Sequence, residues 1–196
     1  MKDKKTIISP INLRKDRLPP GQRWIEKPIL YDISSEIDFD IKGYNFRCFG
    51  EVEVEKNFIY DELLSFPQIE LIADFHCVTH WSVKDIHWEG VQTKEILNIV
   101  KPKAPYLLVH SLEGYTTNLP VEYLYEEDVI LAFKMNGEVL QKRHGYPVRL
   151  VVPKLYAWKS AKYVTAFEFT EENKPGYWEQ RGYHMYGDPW KNERYG

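Results

Sequence analysis

Apolar residues along this chain recur mostly at the two-residue spacing of strands, with two short stretches at helical spacing. From Asp38 the alternation runs through Phe39, Ile41, Phe46 and Cys48, then Val52 and Val54, and reads as strand. Tyr60–Phe66 is a short helix stopped by Pro67, and Ile69–Phe75 is a mostly apolar buried strand. Thr93–Val100 is a second helix, with Ile96, Leu97 and Val100 on one face and Pro102 ending it. Tyr106–His110 and Tyr115–Leu119 pair around the turn Leu112-Glu113-Gly114, and Val129–Met135 enters an Asn136-Gly137 hairpin turn. Val148–Val152 and Tyr163–Phe169 are further β-rich runs, separated by a Lys- and aromatic-rich loop. The tail from Gly176 is expected to wrap the body as irregular structure. Strands outnumber helices without alternating regularly with them, which predicts an α+β fold.

Pro10, Pro19, Pro20 and Pro28 punctuate the start of the chain, so residues 1–30 are expected as an arm and 31–196 as the folded domain. Lys2 to Arg23 is locally basic and is expected to be a solvated extension. Charge is otherwise nearly balanced, 26 basic against 29 acidic residues, which offers no general footing for nucleic acid. Aromatic residues make up 15% of the chain, suiting a strand-rich fold or a ring-lined pocket. No apolar run approaches the roughly 20 residues of a membrane helix, and the first residues lack the apolar centre of a signal peptide. The only two cysteines, Cys48 and Cys77, make no disulfide framework. A cytoplasmic setting with reduced thiols is therefore expected.

Three stretches carry candidate chemistry. In His76-Cys77-Val78-Thr79-His80, a lone thiol follows a buried strand between two histidines. Four readings stay open for it. It could join a zinc site with His80 and His76 or His87, or be a nucleophile activated by His80 or His144. It could also be an ordinary buried cysteine, or a thiolate ligand to a soft redox metal. In His144-Gly145-Tyr146-Pro147-Val148-Arg149, a fixed turn enters a strand, and Arg149 could grip a planar anion or pair with a carboxylate. In Tyr156-Ala157-Trp158-Lys159-Ser160-Ala161-Lys162, two lysines, a serine and backbone N–H groups could cradle a phosphate or simply be solvated.

In this order the three stretches resemble the sulfite oxidase-type molybdopterin-dependent oxidoreductases, closest to small single-domain bacterial and archaeal members. The matching segments are PPGQ (19–22), FHCVTHWS (75–82), WEGV (88–91), EGYTTNLP (113–120), LAFKMNGEVL (131–140) and HGYPVRLVVPKLYAWKSAK (144–162), with GYW, GYH and DPW in the tail. The resemblance implies layered, mixed β-sheets with a few short helices. It implies a molybdopterin, in a molybdenum or a tungsten form, with Cys77 as the metal ligand. It places cofactor contacts at Ser111, His144, Arg149, Lys159, Ser160, Ala161 and Lys162, and pocket residues at His80 and Tyr115. The implied reaction is two-electron oxygen-atom transfer, as sulfite-type oxidation or S- or N-oxide reduction. A cofactor carrier without turnover is the alternative. The expected partners are a small oxo-donor or oxo-acceptor and a separate electron carrier, with no nucleic acid or membrane, and the protein is expected as a monomer. Sulfite oxidases carry arginines close behind the metal-binding cysteine; here those positions are Thr79, His80, Trp81 and Ser82. The upstream residues that meet the pterin are not recognisable by match, and Trp24 to Ile33 is the stretch available for them.

Overall fold

In chain order the strands and helices are β1 (Lys5–Ile8), β2 (Arg23–Trp24), β3 (Asn45–Gly50), β4 (Lys56–Ile59), α1 (Tyr60–Ser65), β5 (Gln68–His76), β6 (Trp81–Gln92) and α2 (Thr93–Val100). Then follow β7 (Tyr106–Ser111), β8 (Thr116–Pro120), β9 (Ile130–Met135), β10 (Glu138–Val139), β11 (Arg149–Val151) and β12 (Val164–Thr170). The computed structural model describes residues 4–31 and 40–196. Two mixed sheets hold these strands. One runs β1-β5-β6-β9-β10, with β2 added to β6 and β11 to β9; the other runs β4-β3-β12-β7-β8.

The period of two explains the layering. On β9, Leu131 and Phe133 face the core shared with the second sheet, while Ile130 and Ala132 face the opposite way. That opposite face is covered by Trp158 from the loop between β11 and β12 and by Trp178 and Tyr183 from the tail. The central strands of the first sheet are thus buried on both faces. Helix α2 seats Ile96, Leu97 and Val100 in the shared core and ends at Lys101, in the left-handed region with φ 49°. In β6, Gly90 runs against β9 so closely that a Cβ would lie 2.1 Å from the Leu131 carbonyl oxygen. Only glycine fits there.

The expected hairpins form. The β9–β10 turn has Asn136 at φ 52° and Gly137 at φ 83°, the two positive φ values a tight hairpin turn needs. β7 and β8 pair around the Leu112–Gly114 turn. The fold is α+β with layered mixed sheets, as expected.

The start of the chain departs from the expectation of a solvated arm. β1 pairs in parallel with β5, from Lys5 opposite Ile69 to Ile8 opposite Ile72. Arg17 then donates two hydrogen bonds, of 2.6 and 2.7 Å, to the fully buried carboxylate of Asp74. β1 is short and mostly exposed, so its sequence has no apolar alternation, and its backbone pairing rather than its side chains brings it into the sheet. The strand expected to continue through Val52 and Val54 is also absent: Val52 makes a single bridge to Pro102, and Val54 is exposed. The earlier part of that expectation, at Asp38 and Phe39, lies outside the described residues.

Candidate active site

The β5–β6 hairpin ends in the turn Cys77-Val78-Thr79-His80, closed by the His80 N–H donating to the Cys77 carbonyl. His80 takes φ 71° to close it. Segments far apart in the chain hold this turn. Gln22 Nε2 donates to the Cys77 carbonyl at 2.9 Å, and Arg194 donates to the Val78 carbonyl. His80 Nδ1 lies 2.9 Å from the Gly21 carbonyl oxygen. Cys77 is thereby fixed at a hairpin tip with its sulfur 3.2 Å from Thr79 Oγ1. Burial raises its thiol pKa, against which the Thr79 hydrogen bonds and the Arg194 charge act. A metal that binds the sulfur would displace the proton and reverse that preference.

Cys77 lines a cavity of about 460 Å³, within the usual range for a small-molecule site. Cys77, Tyr115, His144, Arg149, Ser160, Ala161 and Lys162 all line it. The sequence expectation therefore gathers seven of its residues around one space. Arg149 is buried, and its guanidinium donates to the carbonyls of His144 (3.0 Å) and Ser160 (3.1 Å). It lies 4.8 Å from the Trp88 ring centroid and 5.3 Å from that of Phe75. Among the described residues no carboxylate pairs with it, and its Nε has no partner. Burial without a counter-ion pulls its pKa down to about 10. A buried cation in this state calls for an anion. Beside it, Gly145 takes φ 105°, and a Cβ there would meet Lys162 Cβ at 3.0 Å and Arg149 Cβ at 3.1 Å. Glycine lets the His144 turn close down between the two cations. Lys162 Nζ donates to the Tyr31 carbonyl at 3.1 Å, while the Tyr31 hydroxyl lies 3.4 Å from Thr79 Oγ1. Pro28–Tyr31 thus spans the cavity from the Cys77 turn to the Lys162 side.

Three expected site residues sit elsewhere. Lys159 is fully buried behind the cavity wall and is not part of its lining. Its ammonium donates to Glu179 (2.5 Å), to Asn118 Oδ1 (2.7 Å) and to the Asn118 and Met185 carbonyls. An ammonium with that many acceptors has no donor left for a ligand. Expected at the cofactor's phosphate, Lys159 here bonds to the fold instead; burial lowers its pKa to about 8. His80 is exposed, bonded to Gly21, and off the lining, because closing the turn sends its side chain outward. Ser111 is buried with its hydroxyl unpartnered among the described residues, and does not line the cavity either. Tyr115 lines it but donates its hydroxyl hydrogen to the Trp158 carbonyl, a fixed wall rather than a free acid. The Ser160 hydroxyl likewise serves the fold, accepting from the Val152 N–H at 3.0 Å. The zinc geometry does not assemble: His76 bonds Ser82, His87 bonds Glu70, and no three ligating side chains converge among the described residues.

Sequence reasoning missed the rest of the lining. Trp81, Trp158, Trp178, Tyr177 and Tyr183 make much of the wall, and the aromatic content of the chain hinted at rings without saying which. The cavity is thus lined by a cysteine, by a buried arginine with no carboxylate partner among the described residues, and by aromatic rings. That donor set fits a thiolate-bound soft metal carried by an anionic organic group.

Comparison with known proteins identifies the family. Residues 33–178 match the oxidoreductase molybdopterin binding domain. The chain is 41% identical over 182 residues to the uncharacterized oxidoreductase YuiH of Bacillus subtilis, covering 91% of this chain and 92% of that protein. It is 28% identical to the protein-methionine-sulfoxide reductase catalytic subunit MsrP of Campylobacter jejuni, over 79% of this chain but 58% of that protein. The crystal structure of the sulfane dehydrogenase SoxCD from Paracoccus pantotrophus superposes with a TM-score of 0.63 at 26% identity, covering 70% of this chain and 40% of that one.

Proposed function

Because the chain belongs to the molybdopterin-binding oxidoreductase family, a molybdenum-cofactor enzyme, we propose that Cys77 is its metal ligand and that it reduces an uncharged S-oxide or N-oxide. The observation that carries the assignment is the placing on one cavity of Cys77 and of the buried Arg149, which has no carboxylate partner among the described residues. The bound cofactor supplies the two-electron change and the oxygen-atom transfer. The chain's own residues bind and orient. Cys77 offers a sulfur donor from a turn pinned at its carbonyls. Arg149 and Lys162, with the Gly145 turn between them, hold the anionic end of the cofactor. His144 lines the same end and is suited to reading the hydrogen-bonding edge of the pterin.

The choice of an uncharged oxide rests on what surrounds Cys77. The turn behind it offers Val78, Thr79 and Trp81 to the cavity, with Tyr183 and Trp178 also on the wall. An oxyanion such as sulfite needs a cation at its binding point, and these side chains bring none. A neutral oxide carried by an apolar group gains from the rings instead. The relatives named for methionine-sulfoxide reduction are consistent with this choice. Electrons come from a separate carrier. The molybdenum form and a cytoplasmic setting complete the proposal, the latter supported by two free, buried cysteines.

Expression in a cofactor-competent host, elemental analysis and a panel of sulfite, sulfoxides and amine N-oxides tests this reading. Stoichiometric molybdenum with pterin, its loss in Cys77→Ser, and turnover of neutral oxides are expected. Wild-type protein without metal, or turnover confined to sulfite, overturns it. Tungsten in place of molybdenum corrects the choice of metal, and a loaded protein that turns over nothing on the panel favours a carrier.

A further inference from the structure

A second guanidinium lies inside the protein with no carboxylate partner among the described residues. Arg194 comes from the closing stretch of the chain, where the Glu193 N–H donates to the Asp188 carbonyl, the Arg194 carbonyl accepts from His184, and Tyr183 bridges Tyr195. This stretch returns the Arg194 side chain to the Cys77 turn. The residue is 5% exposed. One Nη donates to the Val78 carbonyl, the other to the Pro20 carbonyl at 3.3 Å, and Nε to Asn192 Oδ1 at 2.8 Å. Its Cζ stands 4.9 Å from the Tyr156 ring centroid. No ion pair neutralises it among the described residues, and it does not line the cavity. It therefore faces the back of the turn, one peptide unit from Cys77 and off the cavity lining.

Holding a buried, unneutralised charge costs stability, and a neutral donor could hold the two carbonyls as well. What the guanidinium adds is its sign. On the reading of Cys77 as metal ligand, we propose that Arg194 is a positioning residue of the metal centre. It locks the Cys77–His80 turn through Val78 and sets a fixed positive charge behind the sulfur. That charge disfavours the more oxidised, more positive metal and so raises the reduction potential of the centre. The field acts through the protein interior, where it is screened less than in water. Four residues directly behind Cys77 in sequence carry no guanidinium; the fold brings one there from the other end of the chain.

The test compares loaded Arg194→Gln, which keeps a donor for Val78 but no charge, with Arg194→Lys, which keeps the charge but not the planar fork. Redox titration followed by the Mo(V) electron paramagnetic resonance signal gives the midpoint potentials. Both variants are expected to load metal as the wild type does. The Gln variant should shift to more negative potential and the Lys variant stay near wild type. Arg194→Met, also uncharged, should shift as Gln does, and replaces it where the Gln variant does not accumulate. Wild-type potentials in the uncharged variants, or equal shifts in the uncharged and Lys variants, overturn the proposal and leave Arg194 a packing residue. A wild-type protein that carries no metal, with Cys77→Ser indistinguishable from it, fails earlier: it refutes the Cys77 assignment and this proposal together.

Discussion

Replacing Arg149 by methionine separates what this residue does for the fold from what it does for the cofactor. In the cofactor-free protein its charge is a burden. The fall of its pKa to about 10 spans roughly two and a half decades, or ~3 kcal/mol at ~1.4 kcal/mol per decade. Against this stand its donations to the His144 and Ser160 carbonyls, about 1 kcal/mol each, and its stacking on Trp88 and Phe75, about 1 kcal/mol. The terms nearly cancel. Methionine also fills the slot between the two rings with apolar surface. Urea unfolding of the cofactor-free variant should therefore fall within ~1.5 kcal/mol of wild type.

The loaded protein should behave differently. A charged donor to a phosphate in a dry cavity contributes ~1.5–3 kcal/mol per hydrogen bond. Losing two such bonds weakens retention by about 3 kcal/mol or more, a hundredfold or greater change in affinity. The assay is the molybdenum and pterin remaining after exhaustive dialysis, with Cys77 intact in both proteins. A cofactor-free variant destabilised by more than ~3 kcal/mol would show that Arg149 is structural. Retention equal to wild type would show that its missing counter-ion is not the cofactor. Either result refutes the reasoning.

Four further outcomes follow from the structure. Lys159→Met leaves the buried Glu179 carboxylate unpaired and should cost about 3 kcal/mol in urea unfolding, while Lys159→Met with Glu179→Gln recovers most of it. That double variant should retain cofactor as wild type does, which a phosphate-binding Lys159 would not allow. Arg17→Ala should cost ~3 kcal/mol by stranding the buried Asp74, and Arg17→Ala with Asp74→Asn should restore much of the loss. Asp128 is buried with Ser9 donating to it, and burial raises its pKa above 3.8. The folded state then holds the proton more tightly than the unfolded one, so this group's contribution is fully present below pH ~3.8 and is lost as pH rises through the raised value. Urea unfolding should accordingly show Asp128→Asn gaining on wild type as pH rises from 3.5 to 7, and a constant difference between them would contradict the assignment. Gly90→Ala should fail to accumulate as folded protein, since its Cβ would enter the Leu131 carbonyl oxygen; soluble expression and circular dichroism check it.

What the sequence makes legible is whatever its own neighbours determine. The Asn136-Gly137 turn and the Leu112–Gly114 hairpin are local choices of backbone, and both form where expected. β1 was not legible because parallel pairing with β5 joins segments 64 positions apart, as between Thr6 and Glu70, with no alternation to announce it. The same division runs through the site. The stretch from Tyr156 to Lys162 promised two cations for an anion. The 3-10 turn at Ala157–Lys159 points Lys159 inward to Glu179, and three residues on Lys162 returns to the cavity. Both lysines look alike in sequence; the difference lies in Glu179, Asn118 and Met185, which only the fold brings together. Arg149 presents the converse. Its sequence setting allowed either an anion grip or a carboxylate partner, and among the described residues no carboxylate pairs with it. Arg194 and Val78 are 116 positions apart, so no local pattern could have joined them. Cys77 could be picked out from sequence because its position at a strand end is local. The charge that acts on its thiol comes from Arg194, and the two meet only because the fold returns that segment to the tip of the β5–β6 hairpin.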